Sequence, residues 1–281
     1  MQVVAVIGAG TMGHGIAQVS AMAGSEVRIT DARADAVTAA LSAVRANLDL
    51  GVSKGKVDAA TRDAALARLR GAADIASACA GADLVVEAVY EDLDLKVRLL
   101  REAEAAVGAG AILASNTSSL SIDRIAAGLQ RPGQVIGAHF FNPVHLMPLL
   151  ELVRGSRTDE GVIRAMQAWG AALGKECILV RDAPGFATSR LGVALGMEAI
   201  RMVEQGVASP EDIDKAMVLG YRHPVGPLRL TDMVGLDVRM AIGSYLAVEL
   251  GNAAFEPPAL MREMVAEGRL GKKAGRGFYT W

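Results

Sequence analysis

The sequence predicts an α/β protein: a doubly wound, mostly parallel sheet over residues 1–183, then an all-helical region over 184–281. Three observations predict it. Short apolar runs alternate with stretches of helical spacing, the pattern of buried parallel strands joined by crossover helices. A glycine-rich turn, Gly8-Ala9-Gly10-Thr11-Met12-Gly13, stands between the first strand and the first helix. After the break at Asp182-Ala183-Pro184-Gly185 the strand pattern stops and long apolar helices follow.

Composition narrows the function classes. With 281 residues, 52% of them hydrophobic, one large domain or two can each bury a core. A formal charge of −2 gives no electrostatic case for nucleic acid or a membrane surface as partner. Cys79 and Cys177 lie far apart with no CxxC, as small apolar residues of a reduced compartment do. The four histidines form no HxxxH or Cys/His cluster, so no metal is expected. The start, MQVVAVIGAG, has no basic n-region, and no apolar run reaches about 18 uncharged residues. A cytoplasmic protein is expected.

Taken in order, Gln2–Ile7 is a buried strand and the glycine turn follows at once. Ile16, Ala17, Val19, Ser20 and Ala23 keep helical spacing until Gly24, Val27–Thr30 is the next strand, and Asp31 closes it. This is GxGxxG in its strand–turn–helix–strand–acid setting. Its glycines let the backbone approach a pyrophosphate, the helix N-terminus offers amides to that anion, and Asp31 accepts from a ribose hydroxyl. Asp31 would repel the extra phosphate of NADP, so NAD is the expected cofactor, with Arg33 the one residue that favours NADP. His14 reads as a helix-start residue.

Residues 34–50 and 58–69 have helical spacing and form a hairpin inserted in the doubly wound pattern, about 34–70 in all. Its tip, Gly51-Val52-Ser53-Lys54-Gly55-Lys56, reads as a flexible basic turn, either a phosphate contact or a solvated loop. Residues 84–88 are a buried strand, and Glu91 and Lys96 flank the start of the helix that runs to about Val107. The strand 111–115 ends in Asn116-Thr117-Ser118-Ser119, with Ser118 facing the crevice and Ser119 or Ser121 capping the next helix.

The strand 134–138 leads to His139, and 149–153 carries Glu151 in an apolar strand. A buried carboxylate needs a partner, and adjacent strand ends can bring together residues twelve apart. The pair reads either as a general base held in one tautomer or as a satisfied core histidine beside an edge glutamate. Residues 158–173 form a helix and 176–180 a strand. The tail holds helices over 186–205, 211–219, 228–250 and 258–267, then a glycine-rich basic loop at 272–279. So apolar a tail reads as a partner surface for a second copy or as a self-contained bundle.

The motifs GAGTMG, NTSSL, HFFNP with Glu twelve residues on, ELV, DAPGF and GKKAGRGFY occur in this order. Together they resemble the short-chain 3-hydroxyacyl-CoA dehydrogenases, including the 3-hydroxybutyryl-CoA dehydrogenases, over essentially the whole chain. The resemblance implies a Rossmann-type N-terminal domain, a helical C-terminal domain that makes a homodimer, and NAD-dependent oxidation of an L-3-hydroxyacyl-CoA.

It makes His139 the catalytic base and Glu151 its carboxylate partner. Ser118 becomes a substrate and cofactor contact, Asn142 a nicotinamide-side residue, and Glu91, Lys96 and Lys273 cofactor contacts. Lys54 and Lys56 of the hairpin become contacts to the CoA phosphates. One departure stands out: the family's PGF-x-x-Asn-Arg is here Pro184-Gly185-Phe186-Ala187-Thr188-Ser189-Arg190, so Ser189 replaces a substrate-facing asparagine. A hydroxyl still donates one hydrogen bond, directly or through water. Two rivals remain: a dehydrogenase of a free hydroxy acid such as L-carnitine or L-gulonate, and a homologue that binds the cofactor but has lost catalysis.

Overall fold

The computed structural model describes every residue, Met1–Trp281. The chain forms two compact units, Met1–Ala183 and Pro184–Trp281.

The first unit is built on one eight-stranded sheet. The strands are β1 (Val3–Ile7), β2 (Glu26–Thr30), β3 (Leu69–Gly71), β4 (Leu84–Glu87), β5 (Ile112–Ser115), β6 (Val135–Phe140), β7 (Leu149–Arg154) and β8 (Glu176–Arg181). Their order is β3-β2-β1-β4-β5-β6-β7-β8. The first six run parallel, β7 is antiparallel to β6, and β8 is parallel to β7. The order reverses between β1 and β4, so a crevice opens outside the carboxyl ends of these strands.

The helices are α1 (Thr11–Met22), α2 (Ala34–Ser53), α3 (Ala59–Arg68), α4 (Ile75–Cys79), α5 (Leu93–Ala106), α6 (Ile122–Ala127) and α7 (Glu160–Ala172). Val4, Val6, Ile29, Leu84 and Val86 of the sheet pack with Ile16 and Ala17 of α1, Val44 and Leu48 of α2, and Met166 and Trp169 of α7. Phe140 meets Trp169 edge-on, with ring centroids 5.9 Å apart.

The hairpin tip differs from the flexible turn expected. α2 continues through Gly51 to Ser53, because Val57 folds back over Gly51, where a Cβ would meet its Cγ2 at 2.9 Å. The amides of Lys56 and Val57 both donate to the Gly51 carbonyl. Only Gly55, at φ 64°, takes a left-handed conformation there. The Arg62–Asp49 ion pair at 2.9 Å ties α3 to α2.

The second unit holds α8 (Thr188–Glu204), α9 (Pro210–Lys215) with a π-helical continuation over Ala216–Gly220, α10 (Pro227–Val234), α11 (Leu236–Leu250) and α12 (Ala259–Ala266). Val193, Met197, Ile200, Leu228, Leu236, Leu246, Phe255, Met261 and Met264 form its core. The single helix expected over 228–250 is two. Gly235 stands at φ 103° and ψ 128°, far from helical values, and breaks the chain between α10 and α11.

Asp232 gathers the C-terminal segment: its carboxylate accepts from the amides of Phe278 and Tyr279 and from the Trp281 indole. Asp214 accepts from the amides of Leu228 and Arg229 at the start of α10 and from the Tyr279 hydroxyl.

Candidate active site

The glycine turn sits at the carboxyl end of β1. Gly8 has φ 101°, and a Cβ there would lie 2.7 Å from the Ala88 carbonyl oxygen. A Cβ on Gly13 would lie 1.8 Å from the Gly8 oxygen, so Gly13 lets α1 pack on the turn. Gly10 is different. It is exposed and a Cβ there would meet nothing within 4 Å, so its lack of a side chain serves no contact inside the chain. Gly10 is also the N-cap of α1, where no side chain caps the helix and the first turn holds no acid. Thr11 is exposed and Met12 half-buried beside it. Open space over uncapped helix amides fits a pyrophosphate.

Asp31 follows β2. Its Oδ2 accepts from the Ala9 amide at 2.8 Å and its Oδ1 from the Arg33 amide at 3.1 Å, so the acid also braces the glycine turn. Each carboxylate oxygen keeps a further lone pair for a ribose hydroxyl. His14 Nδ1 lies 3.0 Å from the Gly10 oxygen, at the helix start.

The antiparallel step from β6 to β7 builds the second part of the site. His139 and Glu151 are direct register partners. His139 Nδ1 lies 2.8 Å from Glu151 Oε2, and both side chains are buried, at 6% and 0% exposure. A carboxylate only accepts, so Nδ1 carries the proton and donates it, and Nε2 keeps the lone pair. His139 lies inside β6, one residue further into regular strand than expected. The Phe141 ring packs at 4.5 Å from the imidazole centroid. The Phe140 amide donates to Asn116 Oδ1 at 2.9 Å, which ties β6 beside the histidine to the end of β5.

Asn142 is exposed and precedes a cis peptide to Pro143. The segment after it is held by Lys175, whose ammonium donates to the carbonyls of Val144 and Met147 at 2.5 and 2.6 Å. Burial pushes the Lys175 ammonium below its usual range. Burial, then the charges of His14 and Lys175, pushes the His145 imidazole down as well.

Ser118 is half-buried in the turn after β5. That turn is gathered by Glu91, whose Oε1 accepts from the amides of Ser118 and Ser119 and from the hydroxyls of Thr117 and Ser119. Ser121, not Ser119, caps α6. Lys96 is 1% exposed, and its ammonium donates to Glu87 at 2.8 Å. Glu87 belongs to none of the motifs above. The signal was there: LVVE at 84–87 places a carboxylate at the end of an apolar strand, as at Glu151.

Lys54 and Lys56 are exposed at the hairpin tip. Ser189 and Lys273 belong to the second unit. Ser189 is the second residue of α8 and is half-buried. Lys273 is paired with the Asp237 carboxylate at 2.6 Å.

The sheet order, the glycine turn and Asp31 are those of a dinucleotide-binding protein. Comparison with known proteins agrees. Residues 3–183 match the model of the 3-hydroxyacyl-CoA dehydrogenase NAD binding domain, and residues 185–281 match that of the 3-hydroxyacyl-CoA dehydrogenase C-terminal domain. A 3-hydroxybutyryl-CoA dehydrogenase of Mycobacterium tuberculosis is 44% identical, covering 100% of this chain and 99% of its own. A probable 3-hydroxybutyryl-CoA dehydrogenase of Bacillus subtilis is 41% identical over 98% of this chain and 96% of its own. The crystal structure of an (S)-3-hydroxybutyryl-CoA dehydrogenase from Ralstonia eutropha superposes with a TM-score of 0.95 at 43% identity, covering 100% of this chain and 99% of that one. The chain belongs to the 3-hydroxyacyl-CoA dehydrogenase family, and it is an oxidoreductase that uses NAD.

Proposed function

We propose that the protein interconverts a short-chain L-3-hydroxyacyl-CoA, such as 3-hydroxybutyryl-CoA, and its 3-oxoacyl-CoA, with His139 as the proton-transferring group. The observation that carries this reading is the buried 2.8 Å contact between His139 Nδ1 and Glu151. In the oxidising direction His139 Nε2 takes the proton of the 3-hydroxyl, which it shares with Ser118. Bound NAD supplies the hydride acceptor. Glu151 keeps the imidazole in one tautomer and stabilises the imidazolium that forms. In reduction the same imidazolium returns the proton to the carbonyl oxygen. Help of this kind contributes about 10²–10⁴ in rate.

Gly8, Gly10, Thr11, Met12 and Gly13 hold the pyrophosphate in this reading, Asp31 the ribose, and Asn142 the nicotinamide side. Lys54 and Lys56 are assigned to the CoA phosphates, Ser189 to the substrate and Lys273 to the cofactor. The reading extends to a cytoplasmic homodimer formed through the C-terminal helices. That surface is supported by Leu191, Leu219, Tyr221 and Val248, all more than 70% exposed.

The test is NADH oxidation with acetoacetyl-CoA, against free acetoacetate and against NADPH. Turnover confined to the CoA ester with NADH is the expected result. Turnover of the free acid alone moves the assignment to a free hydroxy acid. Tight NADH binding without turnover on either moves it to a protein that has lost the chemistry.

A further inference from the structure

One buried charge network lies between the two halves of the cofactor region, and the chemistry above makes no use of its centre. Glu87 ends β4 with its side chain 0% exposed. Its Oε1 accepts from Lys96 Nζ at 2.8 Å and from the Val89 amide at 2.6 Å, and its Oε2 accepts from the Ser115 hydroxyl at 2.6 Å. One carboxylate therefore joins β4, β5 and α5. An ion pair buried this deeply is weak evidence for added stability, because desolvation offsets much of the attraction.

The network reaches the site in two directions. Val89 and Ala88 form the turn packed against Gly8, whose missing Cβ would meet the Ala88 oxygen at 2.7 Å and Val89 Cγ1 at 3.0 Å. The bond from Glu87 to the Val89 amide fixes that turn. In the other direction Lys96 Nζ lies 3.4 Å from Glu91 Oε2, and Glu91 Oε1 gathers the turn Thr117-Ser118-Ser119. Lys96 also reaches the Val89 carbonyl at 3.3 Å. Without Lys96 the carboxylates of Glu87 and Glu91 would face each other with no cation between them.

We propose that Glu87 is a positioning residue of this dehydrogenase: its buried carboxylate fixes the Ala88–Val89 turn under Gly8 and, through Lys96 and Glu91, the turn that carries Ser118. It acts through these neighbours and touches neither substrate nor cofactor. The proposal rests on the assignment of Ser118 as a substrate and cofactor contact.

A double-mutant cycle of Glu87→Gln with Ser118→Ala tests it, read in kcat, in KM for NADH, and in NADH affinity by fluorescence. Glu87→Gln keeps the shape and removes the charge. It is expected to lower kcat/KM for NADH at least about tenfold, and Ser118→Ala is expected to cost about tenfold less on that background than on the wild type. A purely structural glutamate would shift the melting temperature and leave the two substitutions additive, and additivity overturns the proposal. Should Glu87→Gln fail to fold, the Glu87→Met, Lys96→Met double variant removes both buried charges together and serves as the background. An undiminished cost of Ser118→Ala there also overturns the proposal. A wild type that turns over no acyl-CoA would instead overturn the proposed function, and the cycle is then read in NADH affinity alone.

Discussion

Glu151 accepts the hydrogen bond of His139 Nδ1, and that bond decides which nitrogen of His139 keeps its lone pair. Glu151→Gln offers an amide that can also donate, so the imidazole is no longer confined to the Nδ1–H tautomer. The variant is expected to bind NADH as the wild type does and to lose about 10²-fold or more in kcat. Unchanged turnover of Glu151→Gln would leave the pair a core contact. The pairing was readable in advance because a carboxylate in an apolar strand demands a partner, and His139 stood one hairpin away. The same demand applied to Glu87, but its partner Lys96 lies on a helix, where the ammonium reads as a surface charge. Nothing in one-dimensional spacing says that Lys96 turns inward.

Whole elements follow from their glycines. Gly13 allows α1 to approach the Gly8 carbonyl, where a Cβ would sit at 1.8 Å against backbone that cannot yield. Gly13→Ala is therefore expected to abolish NADH binding, measured by fluorescence titration, even if the chain still folds. Gly235 separates α10 from α11 with φ 103°, and a Cβ there would sit 3.1 Å from Asp237 Oδ1. Gly235→Ala is expected to destabilise the protein by about 1–3 kcal/mol in urea unfolding. Apolar periodicity runs on through this break, which is why the sequence reads as one helix over 228–250. The short strand β3 and the single-turn α4 escaped for a similar reason. Leu69-Arg70-Gly71 is half polar, and its place at the sheet edge comes from pairing with β2 rather than from any pattern of its own. The seven other strands, each of four or more residues, were legible in the sequence, most of them because burial on both faces leaves a continuous hydrophobic run.

Across the whole molecule, the buried groups set what withstands chemistry and heat. Burial pushes the Cys79 thiol up to about 12, and burial raises Cys177 too. Neither thiol is expected to react with a thiol reagent at pH 8 in the native protein, and both should react after unfolding. Arg239, 4% exposed, donates to the Gly192 carbonyl, and burial lowers its guanidinium to about 10 with no carboxylate to offset the loss of water. Such a group disfavours the folded state wherever it is charged, so Arg239→Met is expected to leave the melting temperature unchanged or raise it. The break at Asp182–Gly185, where Gly185 and Phe186 both take positive φ, was legible as the end of the strand pattern. What covers the exposed apolar side chains of the tail was not, because exposure marks a surface without naming what meets it.

The most direct test of the central claim is the kcat of His139→Gln with acetoacetyl-CoA and saturating NADH, measured beside NADH affinity. With His139 as the proton-transferring group, kcat falls by about 10²–10⁴ while NADH affinity stays near that of the wild type. Near wild-type turnover of His139→Gln would contradict the account, and the buried pair with Glu151 would then serve the core of the sheet.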